Sequence, residues 1–146
     1  MRIPFTKAHG ALNDFLLTWA HEAPPAELLE RAAVAICHRH SGLGADGWIL
    51  VTPPSGDEPA SIRLFNSDGS EAEISGNGTR CTAAFLVDTG IAATQIAIRT
   101  GASCWDMCHR IFGITRPRML SSPCCNTPTK RGLRLCAIPV LPTRTG

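Results

Sequence analysis

Apolar residues at Leu28, Leu29, Ala32, Ala33 and Ile36 recur at helical spacing and make one face. Pro24-Pro25 suits the opening of such a helix, and Glu27 and Glu30 suit its positive end. His38, Arg39 and His40 fit its last turn, and Gly42 follows as a cap. A second helix is expected from about Thr79 to Asp88, ended by Gly90. Between these lie strand patterns. Ile3 to Lys7 and Phe15 to Trp19 read as short strands around a turn at His9 to Asp14. Trp48 to Thr52 is a continuous apolar run, as in a buried strand, and Pro53 to Pro59 is a loop. Ile62 and Leu64 sit in an alternating strand. Ser67-Asp68-Gly69-Ser70 is a turn, after which Glu71 to Ile74 can pair back as a hairpin. Ile96 and Ile98 alternate within a last strand, Gln95 to Thr100. Strands mixed with two helices predict an α+β fold.

Composition changes this picture beyond residue 100. Residues 1–100 carry 7 Lys+Arg against 11 Asp+Glu, a net charge of −4. Residues 101–146 carry 7 Lys+Arg against Asp106 alone, a net charge of +6, and hold five of the 7 cysteines. The expected organisation is therefore a lobe over residues 1–101 and a Cys/Arg/Pro-rich tail over 102–146, irregular or read out of frame. The whole chain, at +2 over 146 residues, is too weakly charged to argue for nucleic acid or a membrane surface. Its apolar runs are too short to span a bilayer, and the first residues lack the apolar stretch of a signal peptide. A cytoplasmic protein is the expectation. An odd cysteine count in such a chain argues against a disulfide framework. Cys104-x3-Cys108-His109 has a ligand-like spacing, but Cys124-Cys125 and Cys136 give no matched second pair, so no metal site is expected.

Candidate chemistry concentrates in three loops. Ser75-Gly76-Asn77-Gly78 stands directly before the second helix, where backbone N–H groups and the positive helix end can receive an anion. Ser75 sits at the mouth of that turn. The amides of Asn13, in Asn13-Asp14-Phe15, and of Asn66, in Phe65-Asn66-Ser67-Asp68-Gly69, can hold either an ammonium or a carboxylate. Asparagine also stabilises turns routinely. The run His40-Ser41-Gly42-Leu43-Gly44-Ala45-Asp46-Gly47 can be a functional loop or merely a flexible connection. His9, His38 and His40 read as solvated or structural.

Four segments taken together carry more than any one of them. FTKAHGALNDF (5–15), RHSGLGADG (39–47), FNSDGSEAE (65–73) and SGNGTRC (75–81) occur in an order and at distances that resemble the N-terminal lobe of the diaminopimelate epimerase family. The resemblance covers about residues 1–100. It implies two similar α+β lobes, each a curved mixed sheet around a central helix, enclosing diaminopimelate, which the family interconverts between LL and meso forms in lysine biosynthesis, without pyridoxal phosphate, metal or other cofactor. Each lobe supplies one cysteine, one as thiolate removing the Cα proton and the other as thiol returning it from the opposite face. Carried over by motif, Asn13 and Asn66 contact the substrate, and Gly76 and Asn77 offer N–H groups to its α-carboxylate. The catalytic position is that of Ser75.

Three departures accompany the resemblance. Ser75 stands where the family has cysteine, and a hydroxyl is a far weaker acid than a thiol. Cys81, inside the helix, is expected to pack rather than react. Leu12 stands where the family has glycine, which strains the loop if that position needs a positive φ. After Gly101 the likeness stops, and no segment of the tail places a cysteine in a Gly-rich helix start, so a truncated or frameshifted product is the expectation. The resemblance implies an isomerase with a small-molecule substrate; with the weak charge and short apolar runs, no nucleic acid or membrane partner is expected, and a homodimer is left open. A proline racemase-type relative fits the Asn-Asp-Phe and Asp-Gly-Ser-Glu motifs less well. The alternative is a non-catalytic lobe that binds an amino-acid carboxylate or only self-associates through an apolar face.

Overall fold

The computed structural model describes residues 2–73, 75–92, 95–101, 104–108 and 118–119. Strands β1 (Thr6–Gly10) and β2 (Asn13–Trp19) form an antiparallel hairpin closed by Gly10 opposite Asn13. Its loop is only Ala11 and Leu12, with φ of 53° and 67°. Two-residue hairpin loops of this hand match the twist of the strands but favour Asn and Gly. Neither residue here is of that kind, and Leu12 is 92% exposed, so packing does not compensate it. The strain expected at Leu12 is thus present, and Ala11 shares it. Leu12→Gly is expected to stabilise the chain by ~1 kcal/mol, the cost of a left-handed L-residue. An unchanged urea midpoint would show that the turn relaxes without cost.

After two short 3-10 turns, Ala20–Glu22 and Ala26–Leu28, helix α1 runs Leu29–Cys37. It starts later than Pro24-Pro25 suggested, and it buries Leu29, Ala33 and Cys37, with Ala32 and Ile36 packed beside them. Leu28 is left largely exposed. The helix also ends earlier than expected: His38 is extended, with ψ 124°. The chain then folds back on the helix end. N–H groups of Leu43 and Gly44 donate to the Ile36 carbonyl, and that of Ala45 to Cys37. Gly42 permits this approach, because a Cβ there would fall 2.3 Å from the Ala35 carbonyl oxygen.

Strands β3 (Gly47–Thr52), β4 (Ala60–Asn66) and β5 (Glu71–Ala72) follow, then helix α2 (Gly76–Asp88) and strands β6 (Gln95–Arg99), β7 (Cys104–Cys108) and β8 (Arg118–Met119). The sheet order is β1-β2-β3-β4-β6-β7-β8, with β5 paired to β4. The β2–β3 and β4–β6 pairs are parallel, bridged by α1 and α2 respectively, and the other pairs are antiparallel. The Ile74 end of the expected β-return lies outside the described residues, as does most of the tail beyond 108. The sheet itself continues past residue 101, since β7 pairs with β6 along its whole length.

Strand alternation divides the core in two. Phe15, Leu17, Ile49, Val51, Ile62 and Leu64 face one side and pack with α2. Leu16, Trp48, Leu50 and Phe65 face the other and pack with α1. Helix α2 touches β1, β2, β3 and β6, so the curled mixed sheet wraps it. The architecture is α+β, as the pattern of strands and helices predicts, and it is a half-barrel around a central helix, as the resemblance implies.

Candidate active site

Helix α2 begins three residues before the apolar pattern suggests, at Gly76. Its first turn, Gly-Asn-Gly, has poor intrinsic propensity, and the cap supplies what is missing. Ser75 is extended at φ −146°, and its Oγ accepts the Gly78 N–H at 3.0 Å. Its carbonyl accepts both the N–H and the hydroxyl of Thr79, each at 2.8 Å. Among the described residues the N–H groups of Gly76 and Asn77 have no acceptor. Two donors therefore stand at the positive end of a 13-residue helix. The two glycines differ in their reasons. A Cβ on Gly78 would lie 3.2 Å from Ile49 Cδ1 and 3.3 Å from Ser75 Oγ, so this glycine seats the helix on β3. A Cβ on Gly76 would meet nothing within 4 Å, and its φ is not positive. Neither crowding inside the chain nor backbone conformation therefore demands glycine at residue 76.

The polarity of α2 brings the predicted residues together. At its start, Gly78 lies over Ile49, which pairs with Leu17 and Leu64. Towards its end, Phe85 packs against Trp19, ring centroids 4.6 Å apart and planes tilted by 44°, at the far end of β2. The N-terminus of α2 thus points towards the end of the sheet where Asn13 opens β2 and Asn66 closes β4. Asn66 pairs with Gly47, and Gly47 with Phe15. By alternation, Asn13 shares the face of Phe15 and Leu17, and Asn66 that of Ile62 and Leu64, which is the α2 face. Ser75, Gly76, Asn77, Asn13 and Asn66 accordingly occupy one end of one face. All are half-buried.

A network of charges that sequence spacing does not reveal fixes this end. Arg39 leaves the α1 terminus and donates to Asp14 Oδ1 at 2.8 Å and to Asp46 Oδ1 at 2.7 Å. Lys7 Nζ lies 3.1 Å from Asp14 Oδ2 and donates to the Gly44 carbonyl. Asp46 Oδ2 accepts the Asn13 amide at 2.8 Å and the Asp14 N–H at 3.0 Å. Partial burial raises the Asp14 pKa, but hydrogen bonds from Arg39 and Lys7 and their charges outweigh it and hold the carboxyl well below the usual range. A carboxyl lowered on folding stabilises the fold above its unfolded value and loses that contribution as pH falls towards the folded value. Stability is therefore expected to drop on acidification below pH ~4, where unfolded Asp begins to protonate. Asp14→Asn is expected to flatten that dependence in pH-resolved thermal melts. An equally steep acid limb in the variant would assign the effect elsewhere.

On the opposite side of the motif, Arg80 Nη1 donates to Asn77 Oδ1 at 2.6 Å and brings a positive charge beside the helix start. Sequence reading passed over Arg80, although its spacing of three from Asn77 on one helix face was available as a signal. Cys81 is 1% exposed and burial pushes its thiol up to about 12. Burial likewise pushes Cys37 up to about 11. Both are packing residues in character. His38 and His40 are exposed, and His38 Nδ1 accepts the Ser41 N–H at 3.1 Å within its own turn. Among the described residues no group of three His, Cys, Asp or Glu side chains is placed to hold a metal, and no helix is long and apolar enough to cross a membrane. His109, Cys124, Cys125 and Cys136 lie outside the described residues.

Known structures share this backbone. A phenazine biosynthesis protein of the PhzF family from Enterococcus faecalis superposes with a TM-score of 0.62 at 13% identity, over 80% of this chain and 44% of that one. Methylitaconate-delta-isomerase superposes with a TM-score of 0.61 at 13% identity, over 76% and 35%. At such identity the likeness concerns the fold. Sequence relatives are nearer. Diaminopimelate epimerase of Synechococcus elongatus is 47% identical over 103 residues, which is 70% of this chain and 37% of the relative. That of Nostoc punctiforme is 39% identical over 122 residues, 83% and 41%. The chain thus spans about two fifths of the length of the curated relatives it matches. The diaminopimelate epimerase family model matches residues 5–109, through β7 and one residue beyond it. With that match over most of its length, the chain belongs to the diaminopimelate epimerase family.

Proposed function

We propose that residues 1–101 supply one lobe's share of a diaminopimelate epimerase site, in which Ser75 carries the proton chemistry and Asn13, Asn66, Gly76 and Asn77 bind substrate. The observation that carries this reading is the pair of unpartnered N–H groups at Gly76 and Asn77, on the same face and end of the sheet as both asparagines. A carboxylate received there draws on two direct N–H bonds and the helix end at once. Removing a proton from the neighbouring Cα builds negative charge onto that carboxylate, so donors held in advance favour the deprotonated state. The Ser75 hydroxyl uses one lone pair on Gly78 and retains its own proton, which suits it to donate to a carbanion better than to abstract a proton. Activity of the isolated chain is accordingly expected to be weak. This reading calls for no cofactor: the resemblance implies that a thiolate of the facing lobe takes the Cα proton, and the Ser75 hydroxyl returns one from the opposite side.

The test is proton-exchange NMR on the purified chain with LL-diaminopimelate in D₂O. Addition of substrate is expected to shift the Gly76 and Asn77 backbone amides, and slow Cα deuteration is expected to exceed that of Ser75→Ala. A folded chain whose Gly76 and Asn77 amides do not respond would sink the proposal.

A further inference from the structure

We propose that Asp46 and the Ser70–Asp68 pair are positioning residues that lock the Asn13 and Asn66 amides in one orientation, leaving each Oδ1 as an acceptor for a substrate ammonium group. This rests on the substrate-binding role given above to the two asparagines, and it settles which of two ligand chemistries they read. An asparagine amide can be turned over at little cost, and it then exchanges acceptor for donor. Neither amide is free to turn here.

Asn13 Nδ2 is 2.8 Å from Asp46 Oδ2. A carboxylate only accepts, so the nitrogen must face it. Asp46 is itself held, by the Asp14 N–H at 3.0 Å on the same oxygen and by Arg39 at 2.7 Å on the other. Asn66 is fixed through one more step. Its Nδ2 is 2.9 Å from Ser70 Oγ, and a hydroxyl can either donate or accept. The Ser70 proton is already committed to Asp68 Oδ1 at 2.6 Å, and the same oxygen takes the Ser70 N–H at 2.9 Å. Ser70 must therefore accept from Asn66, and the Asn66 nitrogen must face it. The Asn66 backbone is pinned as well, its N–H donating to the Ser70 carbonyl at 2.8 Å. Among the described residues nothing donates to Oδ1 of either asparagine. Two independent carboxylates thus dictate the same polarity at two asparagines that share one end of the α2 face. The α2 terminus offers donors and the asparagines offer acceptors, which matches a carboxylate and an ammonium of one amino acid.

The test compares binding of diaminopimelate with that of the analogue lacking one amino group, by titration calorimetry on the wild-type chain, Asp46→Ala, Asp46→Asn and Ser70→Ala, each checked for folding by circular dichroism. Wild type is expected to prefer diaminopimelate by roughly tenfold, the scale of a charge-assisted hydrogen bond. Asp46→Ala and Ser70→Ala are each expected to lose most of that preference while binding the analogue as before. Asp46→Asn still offers an acceptor and is expected to stay within about threefold of wild type. If Asp46→Asn falls as far as Asp46→Ala, the carboxylate attracts the ammonium by its charge and the positioning role is overturned. Unchanged preference in both alanine variants overturns it too. A wild-type chain that binds neither compound overturns the substrate-binding reading and the inference with it, whereas equal binding of both compounds overturns the inference alone. Ser70→Ala lies outside the Arg39 network, so it keeps the test decisive if Asp46→Ala does not fold.

Discussion

Trp48→Ala is expected to cost ~4–6 kcal/mol, a large share of the roughly 5–15 kcal/mol typical of a folded domain. Trp48 is fully buried in the middle of the sheet, on the face that α1 covers. Its ring lies 6.1 Å from that of Phe65, and its Nε1 donates to the buried Thr18 hydroxyl at 2.9 Å. Truncation removes the largest fully buried side chain among the described residues and opens a cavity between the sheet and α1. It also strands the Thr18 hydroxyl away from water, which adds ~1 kcal/mol or more. Trp48→Phe separates the two contributions. It keeps much of the apolar area but loses the hydrogen bond and the second ring's volume, so a smaller cost of ~2 kcal/mol is expected. Urea unfolding followed by circular dichroism measures both. A loss under ~2 kcal/mol for Trp48→Ala would mean that α1 is not seated on that face of the sheet.

The same residue shows what the sequence discloses. Trp48 stands in a continuous apolar run because β3 is covered on both faces, by α2 through Ile49 and Val51 and by α1 through Trp48 and Leu50. A run of that kind is legible without partners. So are Ile62 and Leu64 and the helix up to Asp88. The errors have local causes. The first hairpin was expected to turn over His9 to Asp14, yet its strands reach Gly10 and Asn13. Its two-residue loop lacks the Asn or Gly that normally announces one, so the turn read too wide. Helix α2 begins inside Gly-Asn-Gly because capping, not propensity, starts it. Helix α1 stops at Cys37, short of His38 to His40, because Arg39 is drawn to Asp14 and Asp46, 25 and 7 residues away. Nothing in periodicity reports such a pull. The candidate site was legible as motifs, and the register Phe15–Gly47–Asn66 shows why they belong together. The wiring beneath it, Asp46 on Asn13 and Ser70 on Asn66, depends on which strands lie side by side and on hydroxyl polarity, which sequence order does not express.

Ser75→Cys is expected to raise Cα deuteration of diaminopimelate by roughly tenfold or more over the wild-type chain, because a thiol supplies the base that a hydroxyl does not. Proton abstraction needs the anion. With an ordinary value near 8.5, a cysteine is roughly 3% thiolate at pH 7, whereas a serine is essentially never ionised there. At residue 75 the Gly78 N–H aimed at the side-chain atom and the positive end of α2 both favour the thiolate further. The rate is therefore expected to climb with pH towards a lowered thiol value and then level off. Cys81 cannot substitute in the wild-type chain, since it is buried more than a turn further along the helix with its thiol pushed up to about 12. The exchange also removes a good N-cap, at a cost of ~1 kcal/mol. The variant should thus be less stable and faster at once, a combination that a purely structural role for Ser75 would not produce. Ser75→Thr keeps cap and hydroxyl, and is expected to match wild type in both respects. A folded Ser75→Cys chain that shifts the Gly76 and Asn77 amides on binding yet exchanges no faster would show that the proton passes through another group. The thiol position would then mark ancestry, and residues 75–78 would serve only to hold a carboxylate.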